Sequence, residues 1–352
     1  MGPDDTTLLD VRDLHAVYPS AKGTVRAVDD ISFTMAAGEV LAIVGESGSG
    51  KSATALAIMG LMHRTSGRVV SGEVLFDSRD MLRLTEGELR AIRGSEISMI
   101  FQNPMTALNP VLSIGHQLTE VVRAHLRIGR TEAWERAVEL LRMVEIPDPR
   151  SRLAAYPHQL SGGLRQRVMI AMALSCEPKL LIADEATTAL DVTTQSQILK
   201  LLRRVTAETR TAVIVITHNM GVVASIADRV AVMYAGRIVE LADVRSIFHD
   251  PRHPYTVGLL GSIPRIDGPR LDDLVAIEGR PPSLSEPSRG CPFRPRCPLA
   301  MDMCADREPL LEPVQGASAH LASCWASATD QQAHATRSRG GLAGPDGRQG
   351  ES

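Results

Sequence analysis

Three short runs along the chain are apolar at nearly every position: VLAIVG (40–45), LLIAD (180–184) and AVIVIT (212–217). A strand covered on one face alternates apolar and polar residues, whereas one covered on both faces reads as a continuous apolar run. These three runs therefore predict central strands of a parallel sheet. Between them the spacing changes. Residues from about 87 to 177 are rich in helix formers with apolar positions three and four apart, as in TEAWERAVELLRMVEI (131–146). Near the start, LLDVRDLHAVYP and AVDDISFTMAAGEVLAIVG alternate as antiparallel strands do. Strand-like and helix-like stretches take turns up to about residue 240, the pattern of an α/β domain.

After Glu240 the pattern breaks. Prolines become frequent (HDPRHPYT, EGRPPSLSEP), four cysteines follow, and a tail rich in Gly, Arg, Ser and Asp begins near residue 326. The expected organisation is an α/β domain over 1–240, with a helical subdomain at about 87–177. A cysteine-bearing extension follows over 241–325. The tail over 326–352 has too little apolar surface to fold alone and is expected to be disordered. No internal repeat is present.

With 352 residues and 44% hydrophobic content, the chain can bury a full core. A net charge of −3 without a basic block gives no electrostatic support for nucleic-acid binding. Five Phe, four Tyr and two Trp also leave few platforms on which bases could stack. The first residues, MGPDDTTLLD, are acidic and lack the apolar core of a secretory signal. The longest apolar run, VMIAMAL (168–174), falls well short of the ~20 residues of a membrane helix. The expectation is a soluble, cytosolic chain that would serve a membrane only through partners.

Candidate chemistry sits at the ends of the predicted strands. GESGSGKS, from Gly45 to Ser52, fits G-x-x-x-x-G-K-S between VLAIV and the helix-like SATALAIMGLM. In such a loop Gly45, Glu46, Ser47, Gly48, Ser49 and Gly50 turn backbone N–H groups toward phosphate oxygens, and the following helix, with Ala53 in its first turn, adds its positive end. Lys51 would reach the β- and γ-phosphates, and the Ser52 hydroxyl would ligate Mg²⁺. LLIADE (180–185) ends a predicted buried strand in two carboxylates. Asp184 is placed to hold Mg²⁺ and Glu185 to polarise the attacking water. A glycine-rich turn or a solvated acidic turn would explain either motif alone, but not both in this order. A guanine-specific site would want Asn-Lys-x-Asp, and the chain contains no Asn-Lys pair. ATP is the expected nucleotide.

QLSGGLRQRV (159–168) narrows the reading. Leu-Ser-Gly-Gly before a helix, a short way ahead of the acidic strand, resembles the signature of the ATP-binding cassette family. That resemblance implies a RecA-like P-loop NTPase core with an antiparallel β subdomain and a helical insert. It also implies that Ser161, Gly162 and Gly163 face the γ-phosphate of ATP bound by a second subunit. Further positions match the same family. Tyr18 stands where an aromatic stacks on adenine, although a lone Tyr is more often a core residue. Gln102 in FQNP stands where a glutamine joins the Mg²⁺ site to the helical subdomain and the membrane partner. Asp191 in TALD would cross the dimer, and His218 in VIVITHN would contact the γ-phosphate. The resemblance thus makes Glu185, His218, Gln102 and Lys51 the catalytic set. Two departures, Ala186 for the usual proline and Leu164 for Met or Gln, remove no catalytic group.

FQNPMTALNPVLSIGHQL, ADEATTALDVTTQ and HPYTVGLL look more narrowly like the ATPase subunits of oligopeptide and dipeptide importers, over about residues 8 to 325. Nickel and glutathione importers share this subtype. The implied partners are a second ATPase chain (the same or a paralogue), two membrane permease subunits and an extracytoplasmic solute-binding protein. The implied place is the cytoplasmic face of the plasma membrane, as a peripheral subunit. Soluble cassette proteins of translation or DNA repair are the rivals. The first usually carry two cassettes, and the second need a long coiled coil between loop and signature. A non-catalytic subunit would have lost Lys51, Glu185 or His218.

Cys291, Cys297, Cys304 and Cys324 are spaced C-x5-C-x6-C-x19-C. A reduced compartment favours metal ligation over disulfides. The spacing is too loose for a zinc ribbon and unlike the ferredoxin run. The importer resemblance implies a [4Fe–4S] cluster here, with zinc as runner-up and free thiols or an oxidation switch as further alternatives. Cys176, alone, reads as a small buried residue. Because the four cysteines lie far along the chain from the phosphate loop, they are expected to fold the extension and leave ATP binding independent of them.

Overall fold

The computed structural model describes residues 7–21, 23–101, 107–186, 191–262, 277–285 and 289–340. Strands β1 (Thr7–Ser20), β2 (Gly23–Ala36), β4 (Arg68–Phe76) and β5 (Arg79–Asp80) form an antiparallel sheet in the order β2-β1-β4-β5. Its alternation is that of a sheet with one covered face. Leu9, Val11, Leu14, Ile31, Phe33 and Met35 are buried, and the positions between them are mostly more exposed.

The larger sheet contains β3 (Val40–Val44), β6 (Ile97–Ile100), β7 (Leu180–Asp184), β8 (Ala212–Thr217), β9 (Arg229–Tyr234), β10 (Arg237–Asp243), β11 (Glu312–Val314) and β12 (Ala317–Ala322). Their order is β11-β12-β10-β9-β3-β8-β7-β6. The five strands from β9 to β6 run parallel, and β10, β12 and β11 extend that sheet antiparallel. Every residue of β3, β7 and β8 is buried, so the continuous apolar runs mark strands covered on both faces. Ile43, Ile182 and Ile214 face the core shared with the helix Lys51–Ile58 and the antiparallel sheet. Leu181, Val213 and Val215 face the helical subdomain.

Helices Ile114–His125 and Arg130–Met143 form that subdomain with the helix Gly162–Ala173. Ala133, Ala137, Val138, Leu140 and Leu141 bury one stripe of the second helix, as their spacing predicts. Within the expected 87–177 interval, however, β6 belongs to the main sheet, pairing in parallel with β7.

Two features differ from the sequence-based organisation. The boundary at 240 falls inside β10, and the hairpin β11–β12 of the extension pairs with that strand through Glu240↔Ala322 and Leu241↔Leu321. Glu240 is fully buried and accepts N–H bonds from Arg252 and His253, both at 2.8 Å, with His320 Nε2 2.7 Å away. A buried carboxylate is costly unless its oxygens are satisfied, and here the extension satisfies them. The extension is therefore continuous with the cassette. The tail also differs: Ala328–Gly340 is helical, with Gln331 and Ala335 buried, while 341–352 lie outside the described residues. Among the described residues no helix is long and apolar enough to cross a membrane.

Candidate nucleotide site

The loop from Gly45 to Ser52 joins buried β3 to the helix Lys51–Ile58, and its shape demands glycine at two points. Gly45 has φ 152°, and a Cβ there would lie 2.2 Å from the Met233 carbonyl oxygen. Gly50 has φ 106°, and a Cβ there would lie 2.2 Å from the Ala27 oxygen. Gly50 opens the helix without any side-chain cap, which leaves the first-turn N–H groups available to an anion. Lys51 is only 6% exposed and donates to the carbonyls of Gly45 (2.9 Å) and Glu46 (2.8 Å). Burial lowers its ammonium pKa, while the carboxylates of Glu185, Asp184 and Glu46 act in the opposite direction. Ser47, Gly48 and Ser52 are exposed, and Ser49 and Ala53 are buried.

Asp184 ends β7 beside the loop, 7% exposed, and hydrogen-bonds with Ser52. Burial raises its carboxyl pKa, and its Oδ1 is buried with no hydrogen-bond partner. An orphaned carboxylate oxygen next to a hydroxyl fits a hard divalent cation such as Mg²⁺, which takes oxygen ligands. Glu185 follows with φ 47°, a left-handed conformation that costs a non-glycine residue roughly 1–3 kcal/mol. Its N–H is tied to the Ile216 oxygen at 2.9 Å, and its Oε1 lies 3.2 Å from His218 Nδ1. The turn after β7 thus aims Glu185 at the half-exposed imidazole that ends β8.

Ser161 caps the helix Gly162–Ala173, its Oγ accepting from the Leu164 N–H at 3.3 Å. Ser161 and Gly162 are exposed, and a Cβ on Gly163 would approach Thr194 Cγ2 to 2.9 Å. Asp191 is also exposed and caps the helix Val192–Thr209 by accepting from Thr194 N–H at 3.0 Å; these hydrogen bonds hold its carboxyl pKa below the usual range. Signature and Asp191 therefore share an outward-facing surface linked through Thr194. Gln102, and the TALD residues before Asp191, lie outside the described residues. Phe101, just ahead of Gln102, is 44% exposed at a cavity of about 730 Å³ lined also by Met99, Val121, His125, Met169 and Met172.

Tyr18 is half-buried. Its ring would be 2.7 Å from a Cβ on Gly67, and its hydroxyl meets Met62 Sδ (3.5 Å) and Thr65 Oγ1 (3.3 Å). These contacts hold the ring in place.

Sequence reasoning missed the partners of Glu46. Arg296 donates to both its oxygens at 2.8 and 2.9 Å, and the Tyr255 hydroxyl accepts the Glu46 N–H at 2.8 Å. Glu46 and Arg296 are 250 positions apart, beyond the reach of any spacing pattern. Only the HPYT segment that carries Tyr255 was visible beforehand.

The four extension cysteines are free thiols, Cys304 buried and the others half-buried. The Cys291 N–H donates to the Cys304 oxygen at 2.9 Å. Burial, helped by the neighbouring thiols, pushes the Cys291 thiol up to about 11 and Cys297 up to about 12. Among the described residues no three His, Cys, Asp or Glu side chains are gathered to hold a metal ion. The expected zinc or iron–sulfur ligation is thus not supported by the geometry. The four thiols lie near enough for neighbours to raise the pKa of Cys291, Cys297 and Cys324, but among the described residues they form no ion site.

Fold and loop together define a nucleotide-hydrolysing cassette. The ABC transporter family matches residues 28–188, and the oligopeptide/dipeptide transporter C-terminal region matches residues 239–304. The oligopeptide transport ATP-binding protein OppD of Salmonella typhimurium is 52% identical over 303 residues, covering 86% of this chain and 90% of that protein. The dipeptide transport ATP-binding protein DppD of Bacillus subtilis is 51% identical over 318 residues, covering 90% and 94%. Among solved structures, the ATP-binding cassette MJ0796, a dimer in a post-hydrolysis state with ADP and Pi, is similar with a TM-score of 0.61 and 29% identity. It covers 68% of this chain and 99% of that one. The chain belongs to the ABC transporter family, in the branch of oligopeptide and dipeptide transport ATP-binding proteins, and is an ATPase of that type.

Proposed function

We propose that this ATPase powers import of oligopeptides or dipeptides from the cytoplasmic face of the plasma membrane, working as one half of an ATP-closed dimer on two permease subunits. A solute-binding protein on the outer side would deliver the peptide. The observation that carries the reading is the convergence of Lys51, Asp184, Glu185 and His218 at one end of the parallel sheet. Lys51 and the uncapped helix would hold the β- and γ-phosphates, and the signature and Asp191 of the second subunit would close over them. Tyr18, its hydroxyl tied down, would present a fixed ring to adenine. Ser52, Asp184 and Gln102 would hold Mg²⁺, which would offset charge on the leaving phosphate oxygens.

Glu185 takes the proton of the attacking water, and His218, 3.2 Å away, orients the carboxylate and reaches the γ-phosphate. The exposed position of Ser161 and Gly162 supports action across a dimer, because a γ-phosphate site buried within one subunit would not leave them open. The apolar cavity at Phe101, the residue that precedes Gln102 in the chain, supports a docking place there for a permease loop. At the cysteines, the match to the oligopeptide/dipeptide transporter C-terminal region, which takes in Cys291, Cys297 and Cys304, is what supports a [4Fe–4S] cluster, with zinc as the runner-up.

In a complex with the permeases reconstituted in liposomes, peptide uptake should require ATP. Ser161→Arg on one ATPase chain should impair the site whose Lys51 lies on the other. Damage confined to its own chain's site would reject the sandwich, and ATP turnover without peptide uptake would reject the importer reading.

A further inference from the structure

The Cys291–Cys304 loop is built against the phosphate loop. Phe293 is buried among Tyr234, Tyr255 and His253, with ring centroids 5.2, 5.5 and 5.6 Å away. Three residues further on, the Arg296 side chain is 4% exposed and uses its whole guanidinium fork. Its Nε donates to the Glu278 oxygen at 2.9 Å, and one terminal nitrogen reaches the Ile277 oxygen at 3.1 Å. Both terminal nitrogens also donate to the Glu46 carboxylate, one to each oxygen, and one of them reaches the Tyr234 hydroxyl at 3.4 Å. Meanwhile the Tyr255 hydroxyl holds the Glu46 N–H, and the Glu46 carbonyl holds Lys51 Nζ. Glu46 is thus fixed at three points, two of them supplied by the extension and the third leading to the phosphate-binding lysine.

We propose that Arg296 and Tyr255 are positioning residues for nucleotide, through which the cysteine loop sets the affinity of the ATP site. The proposal rests on the reading of Gly45–Ser52 as the phosphate loop. A carboxylate inside a polyanion site is a liability: unpaired, Glu46 repels the phosphates and competes with them for Lys51. A planar, bidentate guanidinium neutralises that charge and turns the carboxylate away, which an ammonium does less well. Because Arg296 adjoins Cys297, whatever orders or disorders the cysteine loop is felt at Lys51.

The test uses the full chain, with affinity read by competition against a fluorescent ATP analogue in Mg²⁺, alongside the unfolding midpoint without nucleotide. Arg296→Met and Glu46→Gln should each change affinity, the first weakening it about five- to tenfold. In the double variant the Arg296→Met effect should shrink, because the carboxylate it shields is gone. Arg296→Lys should recover part of the loss. Tyr255→Phe, which keeps the ring packing and removes only the hydroxyl, should weaken binding about two- to fivefold with little change in midpoint. Wild-type affinity in both Arg296→Met and Tyr255→Phe would overturn the proposal. So would a loss confined to the number of binding-competent molecules at unchanged Kd, or an Arg296→Met effect undiminished by Glu46→Gln. If Lys51→Ala bound ATP as the wild type does, the reading of the loop itself would fall instead.

Discussion

The phosphate loop and the cysteine loop are both irregular stretches ending against the same strands, yet they hold their shapes by opposite means. Gly45 to Ser52 is gripped at both ends by regular structure, a fully buried strand and the helix it opens. Its turns follow from glycines where a Cβ would strike a carbonyl. The cysteine loop has only short local turns of its own, such as Arg294 N–H to the Cys291 oxygen (3.1 Å) and Cys304 N–H to the Met301 oxygen (3.0 Å). One large side chain, Phe293, roots it in the aromatic cluster. The first loop is a local code, whereas the second takes its shape from what it leans on. Chemistry therefore resides in the first, and sensitivity to its surroundings in the second.

The sharpest separation should come from Glu185→Gln. Phosphate release should fall about 100- to 10,000-fold, because the water loses its base, while ATP affinity stays within about twofold. The cysteine loop should be untouched, as judged by protease resistance of the extension. Turnover near the wild-type rate would place the base elsewhere.

Phe293→Ala attacks the other loop. Removing a buried aromatic ring should cost about 3–5 kcal/mol, expressed as protease cleavage between the cysteines and a lower unfolding midpoint. Through Arg296 the same change should weaken nucleotide binding, so an extension that opened with affinity intact would show the two loops to be independent after all.

The smallest effect concerns pH. His253 is buried, and desolvation pulls its pKa down to about 3 from 6.5, so the folded chain holds it neutral. Between these values the unfolded chain takes up a proton that the folded chain cannot. Its contribution to stability is full above pH 6.5 and is lost as pH falls toward 3. Protease resistance of the extension should decline from pH 7 to pH 5. His253→Asn should flatten that decline, since Asn can still cap the helix Pro254–Gly261 as His253 does at 3.1 Å. An unchanged slope in the Asn variant would assign the decline to other groups.

What could be read from the sequence was local. Continuous apolar runs reported strands buried on both faces, because burial acts on each residue where it stands. Glycines at 45 and 50 and the Asp-Glu pair at 184–185 reported a phosphate loop and its acidic neighbour, because strand, turn and helix are consecutive in the chain. Ser161 and Asp191 were legible only through the family resemblance, and that each caps a helix came from the structure. Tyr18 was legible only as an aromatic in the right place, and its contacts with Met62 and Thr65 came from packing.

Tertiary structure alone decided the rest. The order β11-β12-β10-β9-β3-β8-β7-β6 brings residues of the far C-terminal half to the edge of a sheet begun before residue 45. Only that order lets His320 meet Glu240 and Arg296 meet Glu46. The tail offered no periodic apolar stripe, and its helix Ala328–Gly340 forms where it finds the helix Pro254–Gly261 to pack against. Periodicity and capping act over one or two turns of chain, while a salt bridge across 250 positions depends on every strand placed between its partners.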